Sequence, residues 1–228
     1  MQETRRLPLR KAPGNLGAVS EVSAILLAAG AGSRFGGGKL LALYKGRTLV
    51  ETALLGLRRA PVNEIIVVVG RDEEELRKVC APYGARIVSN QDWVKGISTS
   101  VRTGLRACGP KTRAAVVALA DQPLVGAEAV EKLVRAFERG ACVAVATYGG
   151  EPRNPVLFAR EVWPLLEREL LGDEGARAVL RRHPELVTEV PCDDVADPTD
   201  VDTTEDLRRL EEELPAPSDE HTFGERRE

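Results

Sequence analysis

The chain has 228 residues, enough for one large domain with a substantial core. A formal charge of −3 leaves no global basic excess of the kind that binds nucleic acid, and aromatic residues at 4% are too sparse for base-stacking platforms. No apolar stretch approaches the roughly 18 residues of a membrane span, so no membrane contact is expected.

Residues 1–20, rich in Arg, Pro and Gly, read as a loose basic N-terminal arm. No apolar segment follows Arg5-Arg6, so that pair is not read as an export signal. Val22–Ala28 is the first expected strand, and it runs into a glycine-rich loop. Thr48 with Glu51 forms a capping-box start for a helix through Arg59. Ile65–Val69, nearly all β-branched, reads as a strand buried on both faces. A helix over Asp72–Ala81, a strand over Arg86–Ser89 and a helix over Ile97–Cys108 follow. Ala114–Ala120 is a further buried strand, then a helix over Ala127–Arg139 and strands over Ala141–Thr147 and Val156–Phe158. Helices near Glu161–Leu171 and Ala176–Arg182, a strand near Leu186–Val190 and a helix opening at Thr203 complete the pattern. Asp206 is a capping partner for that last helix. From about Pro215 the chain reads as a disordered acidic tail. The alternation predicts a single α/β domain over residues 21–214, with a mainly parallel sheet covered on both faces. Ligands of such sheets bind beyond the carboxyl ends of the strands.

The loop after the first strand runs Gly30-Ala31-Gly32-Ser33-Arg34-Phe35-Gly36-Gly37-Gly38-Lys39. Glycines let backbone N–H groups approach an anion, and Arg34 and Lys39 neutralise it, which is what a polyphosphate requires. Ser33 and Leu40 break the Walker A pattern, and Phe35 breaks the Rossmann one. A flexible surface turn is the plainer alternative. Asp121-Gln122-Pro123 closes a central strand, where an Asp either caps the next turn or holds Mg²⁺. Mg²⁺ takes one or two carboxylates, and the acidic stretch Asp193–Asp202 offers a second; either Asp200 or Asp202 could instead be the N-terminal charge of the last helix. Asn90 to Ser100 places polar groups and Gly96 before a helix. They serve either as a helix cap around Ser98 with Trp93 on the core, or as base and ribose contacts.

The four cysteines lie outside metal-clip spacing of one another, and with only two histidines neither a zinc site nor a Ser-His-Asp or Cys-His arrangement is credible. Reduced and mostly buried thiols in a cytoplasmic protein are expected.

Taken together these residues resemble the molybdenum cofactor cytidylyltransferase family, within the nucleotidyltransferase superfamily. The likeness spans about Val22 to Leu210. It rests on Leu27-Ala28-Ala29-Gly30 through Lys39; Asn90, Trp93, Gly96, Ile97 and Ser100; Asp121-Gln122-Pro123; Asn154-Pro155-Val156; Gly172-Asp173, Gly175, Ala176 and Arg177; and Asp200, Asp202 and Thr203. The resemblance implies a Rossmann-like, three-layer nucleotide-diphospho-sugar transferase fold. It also implies Mg²⁺-dependent transfer of CMP from CTP to the phosphate of molybdopterin, releasing pyrophosphate, and transient contact with a molybdenum hydroxylase. Arg34, Lys39 and Asp121 would be catalytic, and Asp121 and Asp202 would hold the metal. Leu27, Ala28, Ala29, Gly30, Gly32, Lys39, Asn90, Gly96 and Ser100 would bind nucleotide, and Asn154, Asp173 and Arg177 the pterin. Ala29 and Gln122 favour cytosine over guanine by resemblance. Guanylyl transfer, nucleotidyl transfer to a sugar or polyol phosphate, and a non-catalytic cofactor carrier are the alternatives.

Overall fold

A computed structural model describes residues 21–213; the expected N-terminal arm and C-terminal tail lie outside them. One sheet has seven strands: β1 (Val22–Ala28), β4 (Glu64–Val69), β5 (Arg86–Ser89), β6 (Ala114–Leu119), β7 (Val143–Tyr148), β8 (Glu151–Ala159) and β9 (Val187–Pro191). Their order is β5-β4-β1-β6-β8-β7-β9. Strands β5, β4, β1 and β6 are mutually parallel, β8 runs antiparallel to both neighbours, and β9 is parallel to β7. The sheet is mainly parallel, as the alternation predicts, with a local reversal at β8.

Strand β1 lies inside the parallel block, and all seven of its residues are buried. Its side chains alternate between two cores, as the pleat requires. Ala24 and Leu26 pack with helices α1 (Leu49–Arg58), α2 (Glu73–Cys80) and α4 (Ala127–Glu138). Ile25 and Leu27 face the other way, toward α3 (Ile97–Ala107), α5 (Trp163–Glu169) and α6 (Ala176–Arg182). Gly104 lets α3 settle onto β1, since a Cβ there would lie 2.4 Å from Ile25 Cγ2.

The expected caps form. Thr48 Oγ1 accepts from Glu51 N–H, and the Glu51 carboxylate accepts from Thr48 N–H, at the start of α1. Thr203 and Asp206 make the same reciprocal pair before α7 (Thr204–Glu213). Leu210 of α7 is buried with Val201, Tyr44 and Leu49. Tyr44 belongs to a hairpin, β2 (Leu43–Tyr44) with β3 (Arg47–Thr48), too short to register as a sequence pattern. The strand expected over Val156–Phe158 runs from Glu151 to Ala159, because Glu151, Pro152 and Arg153 pair with the end of β7 before a shift in register. The helix expected from Glu161 starts at Trp163, after a 3₁₀ turn over Arg160–Val162. Among the described residues no helix is long and apolar enough to cross a membrane.

Candidate nucleotide and metal site

The carboxyl ends of β1, β4 and β6 share one edge of the sheet. After β1 the chain turns through Gly32, Gly36, Gly37 and Gly38, all in left-handed conformation, with φ of 56°, 89°, 102° and 63°. Three successive positive φ angles exclude ordinary side chains, which accounts for the glycine run. Phe35 and Gly37 N–H groups both donate to Gly32 O, at 3.0 and 3.2 Å, which closes the loop on itself. The loop is braced from β4: Arg71 Nη1 donates to Ala31 O at 3.1 Å. A Cβ on Gly70 would lie 2.7 Å from both Ala29 O and Trp93 Cγ, so the loop base, the end of β4 and Trp93 are packed against each other.

Lys39 stands at the foot of this loop. Its Nζ donates to Asp121 Oδ2 at 2.6 Å and to Asp202 Oδ1 at 3.1 Å, with its side chain only 11% exposed. Burial alone would lower the Lys39 pKa, but the Asp121 and Asp202 carboxylates outweigh it and hold the ammonium above the ordinary lysine value. Arg34 reaches Asp202 Oδ2 at 2.9 Å from the rim, where its side chain is 77% exposed. One buried cation and one exposed cation therefore share two carboxylates brought from distant parts of the chain. Asp206 takes the helix N-terminal charge role weighed for Asp200 or Asp202: its Oδ2 accepts from Thr203 and Asp202 N–H groups. That leaves the Asp202 carboxylate facing Lys39.

The site carries two hard carboxylate donors bridged by one ammonium, a charge arrangement that a divalent cation with phosphate oxygens can replace. Among the described residues no cluster of three or more His, Cys, Asp or Glu side chains is placed to hold a metal. Two carboxylates suit Mg²⁺, which keeps several waters and completes its shell with substrate phosphate. The donor set fits.

Behind the acids lies a feature absent from the sequence expectations. Gln122 is buried at 3% exposure, and its Nε2 donates to Asp200 Oδ1 at 2.9 Å and to Pro198 O at 3.1 Å. Burial and then the neighbouring Asp121 raise the Asp200 pKa above the ordinary aspartate value. The Gln122 amide nitrogen thus ties the end of β6 to the stretch before α7.

The middle segment is closed by its own bonds. Asn90 Nδ2 donates to Thr99 Oγ1 and Ser100 Oγ, and Asn90 Oδ1 accepts from Asp92 N–H. Asn90 and Ser100 are both buried. The helix cap expected around Ser98 falls at Gly96, and Ser98 lies inside α3 with its hydroxyl buried and unpartnered. Gly96, at φ 108°, has no room for a Cβ, which would sit 2.5 Å from Gly172 C and 2.6 Å from Asp173 Oδ1. Ser98 N–H donates to Gly172 O at 3.1 Å. The Asn90–Ser100 segment and the Gly172–Arg177 loop, given separate roles from the sequence, therefore meet each other.

Asn154, Asp173 and Arg177 line a cavity of about 980 Å³, as does Leu27 at the end of β1. Its inner wall is apolar, with Val117, Val145, Val156 and Phe158, and Arg153 joins Arg177 at the polar part. Asn154, Asp173 and Arg177 are thus grouped on one cavity, whose lining includes Leu119 at the end of β6 but not Lys39, Asp121 or Asp202. Arg71 and Gly70 escaped the sequence reading; Asp200 was weighed there as an acid before the last helix, but its bond to Gln122 was not.

A family profile described as the MobA-like NTP transferase domain matches residues 24–187. The nicotine blue oxidoreductase of Paenarthrobacter nicotinovorans is 37% identical over 202 residues, covering 83% of this chain and 96% of that protein. The crystal structure of a Mycobacterium tuberculosis Rv0371c homologue from mycobacterium sp. strain JC1 has TM-score 0.75 at 32% identity, covering 85% of this chain and 96% of that one. Rv0371c from Mycobacterium tuberculosis H37Rv, in complex with manganese, has TM-score 0.71 at 29% identity, covering 85% and 99%. Since the profile spans most of its length, the chain belongs to the MobA-like NTP transferase domain family, within the nucleotidyltransferase superfamily.

Proposed function

We propose that the protein transfers CMP from CTP to the terminal phosphate of molybdopterin, with Mg²⁺ as its divalent cofactor. The observation that carries this reading is the Lys39 ammonium bridging Asp121 and Asp202 at the foot of the glycine loop. The loop N–H groups over residues 29–32, with Arg34 and Lys39, would hold the triphosphate. An acceptor phosphate oxygen attacks the α-phosphorus as the bond from that phosphorus to the β-phosphate's bridging oxygen breaks, and pyrophosphate leaves. Asp121 and Asp202 would hold Mg²⁺, which when bound supplies charge neutralisation at the α-phosphoryl group. Lys39 then turns from the carboxylates toward phosphate. Gly96 acts at the nucleotide by fixing the meeting of its loop with Gly172, and Asn90 and Ser100 keep that loop closed. The manganese complex of Rv0371c agrees with a divalent cofactor in this fold.

On the acceptor side, Asn154, Asp173 and Arg177 would face the pterin. The apolar wall of the cavity would pack against a ring, and the charged part, with Arg153, Asp173 and Arg177, would meet the polar atoms of the acceptor. Incubation with α-labelled CTP, Mg²⁺ and molybdopterin is expected to give labelled cytosine dinucleotide and pyrophosphate in equal amounts. Preference for GTP would overturn the base assignment. Pyrophosphate release only with a sugar or polyol phosphate would overturn the acceptor. Cofactor delivery by Asp121→Ala without transfer would favour a carrier.

A second reading has one specific support, the 37% identity to nicotine blue oxidoreductase over nearly all of that protein. On this reading the cavity would hold the compound for which that relative is named, and an added two-electron reductant would supply the electrons. Bleaching of nicotine blue by that reductant, with no pyrophosphate formed from any nucleoside triphosphate, would select it.

A further inference from the structure

Asp121 and Asp202 stand on different parts of the chain, so their separation is set by whatever ties the end of β6 to the stretch before α7. Besides the Lys39 bridge, other contacts join these segments. Val201 N–H donates to Asp121 O at 2.9 Å. Gln122 Nε2 donates to Pro198 O and to Asp200 Oδ1. The Val201 side chain is fully buried in a small apolar cluster against which Leu124, just past β6, also packs. Only the Gln122 ties depend on a side-chain amide, and Gln122 directly follows Asp121.

We propose that Gln122, through its amide bond to Asp200, is a positioning residue that fixes Asp202 opposite Asp121 and so sets divalent-cation affinity. The inference rests on reading those two aspartates as the cation's carboxylates. Asp200 itself lies outside that pair: Lys39 hydrogen-bonds Asp121 and Asp202, whereas Asp200 Oδ1 accepts from Gln122. Gln122 is buried and tied within the protein, so its amide nitrogen is not placed to read a base. The base preference linked to this residue by resemblance is thereby recast as a bracing role. Partners that orient metal ligands commonly change metal affinity by one to two orders of magnitude.

The test is titration of the full chain with Mn²⁺ alone, following free Mn²⁺ by electron paramagnetic resonance. Gln122→Met keeps length and apolar bulk but removes the amide; it is expected to weaken Mn²⁺ binding about ten- to a hundredfold, while Asp200→Asn, which retains an oxygen to accept from Gln122, stays within about threefold. Asp200→Ala should reproduce the Gln122→Met loss, and it decides the matter if Gln122→Met fails to fold. A purely structural role predicts a lowered melting temperature with unchanged Mn²⁺ affinity in the folded variants, and that result overturns the proposal. Equal weakening by Asp200→Asn and Asp200→Ala also overturns it, since charge rather than the amide bond would then be responsible. Absence of Mn²⁺ binding by the native protein overturns the assignment of Asp121 and Asp202, whereas native binding that Gln122→Met leaves unchanged overturns this proposal alone, so the two failures are distinguishable.

Discussion

Lys39 Nζ lies 2.6 Å from Asp121 Oδ2, joining the foot of the glycine loop to the end of β6 across 82 residues of sequence. The contact is local in space because β1 and β6 are parallel neighbours, and Ala120 N–H also donates to Leu27 O at 3.1 Å. In this arrangement the ammonium keeps two carboxylates from repelling each other. A divalent cation would do the same and release Lys39 for phosphate.

Replacing Lys39 with Met tests that exchange. Without the ammonium, Asp121 loses its cation and only the exposed Arg34 still pairs with Asp202, so Mg²⁺ should raise the melting temperature of Lys39→Met by more than it raises that of the native protein. Nucleotidyl transfer should fall by about a hundredfold or more, because a charge contact to the triphosphate is lost. Thermal melts with and without Mg²⁺, alongside a turnover assay, measure both.

Gly96→Ala should destabilise the protein by about 1–3 kcal/mol, since it places a Cβ at positive φ and against the Gly172 backbone. The displaced Gly172–Arg177 loop should also weaken acceptor binding more than triphosphate binding. Urea unfolding gives the first quantity and paired ligand titrations the second.

Glu64 at the start of β4 accepts hydrogen bonds from Ser23 Oγ at 2.8 Å and Gly109 N–H at 3.1 Å, with Arg86 beside it. Burial alone would raise its pKa, but the Gly109, Ser23 and Arg86 contacts outweigh that and hold it below the ordinary value of 4.5. A depressed folded-state pKa gives stability that is present above 4.5 and lost as pH falls through the lower folded value. Glu64→Gln should therefore cost about 1 kcal/mol at neutral pH, and its deficit relative to the native protein should shrink as pH drops below the carboxylate range. Denaturant midpoints at several pH values check the trend.

Asp206→Ala removes the carboxylate that holds Thr203 and Asp202 N–H groups. Loss of this cap should cost about 0.5–2 kcal/mol. Because Asp202 adjoins the cap, the variant should also need more Mg²⁺ for half-maximal activity. A stability loss with an unchanged Mg²⁺ requirement would separate α7 from the site.

The parallel half of the sheet was legible because strands such as Ile65–Val69 are buried on both faces and carry no polar alternation. Strand β8 was only partly legible: polar residues 151–154 and Pro155 resemble a loop, and its reversed direction depends on pairing with β6 and β7. Lys39 and Asp121 could be joined from sequence because each follows a central strand. The meeting of Gly96 with Gly172, the brace from Arg71 and the tie from Gln122 to Asp200 could not. They depend on which side chains cross between segments, and sequence spacing carries no mark of that.

The central claim is that the glycine loop and the acids at 121 and 202 form one site for a metal-bound triphosphate. Calorimetric titration of CTP into the full chain, with and without Mg²⁺, tests it most directly when repeated on Asp121→Asn. The account predicts that Mg²⁺ strengthens CTP binding by the native protein and that Asp121→Asn abolishes the strengthening. Equal CTP affinity with and without Mg²⁺, or full Mg²⁺ dependence surviving in Asp121→Asn, would contradict it.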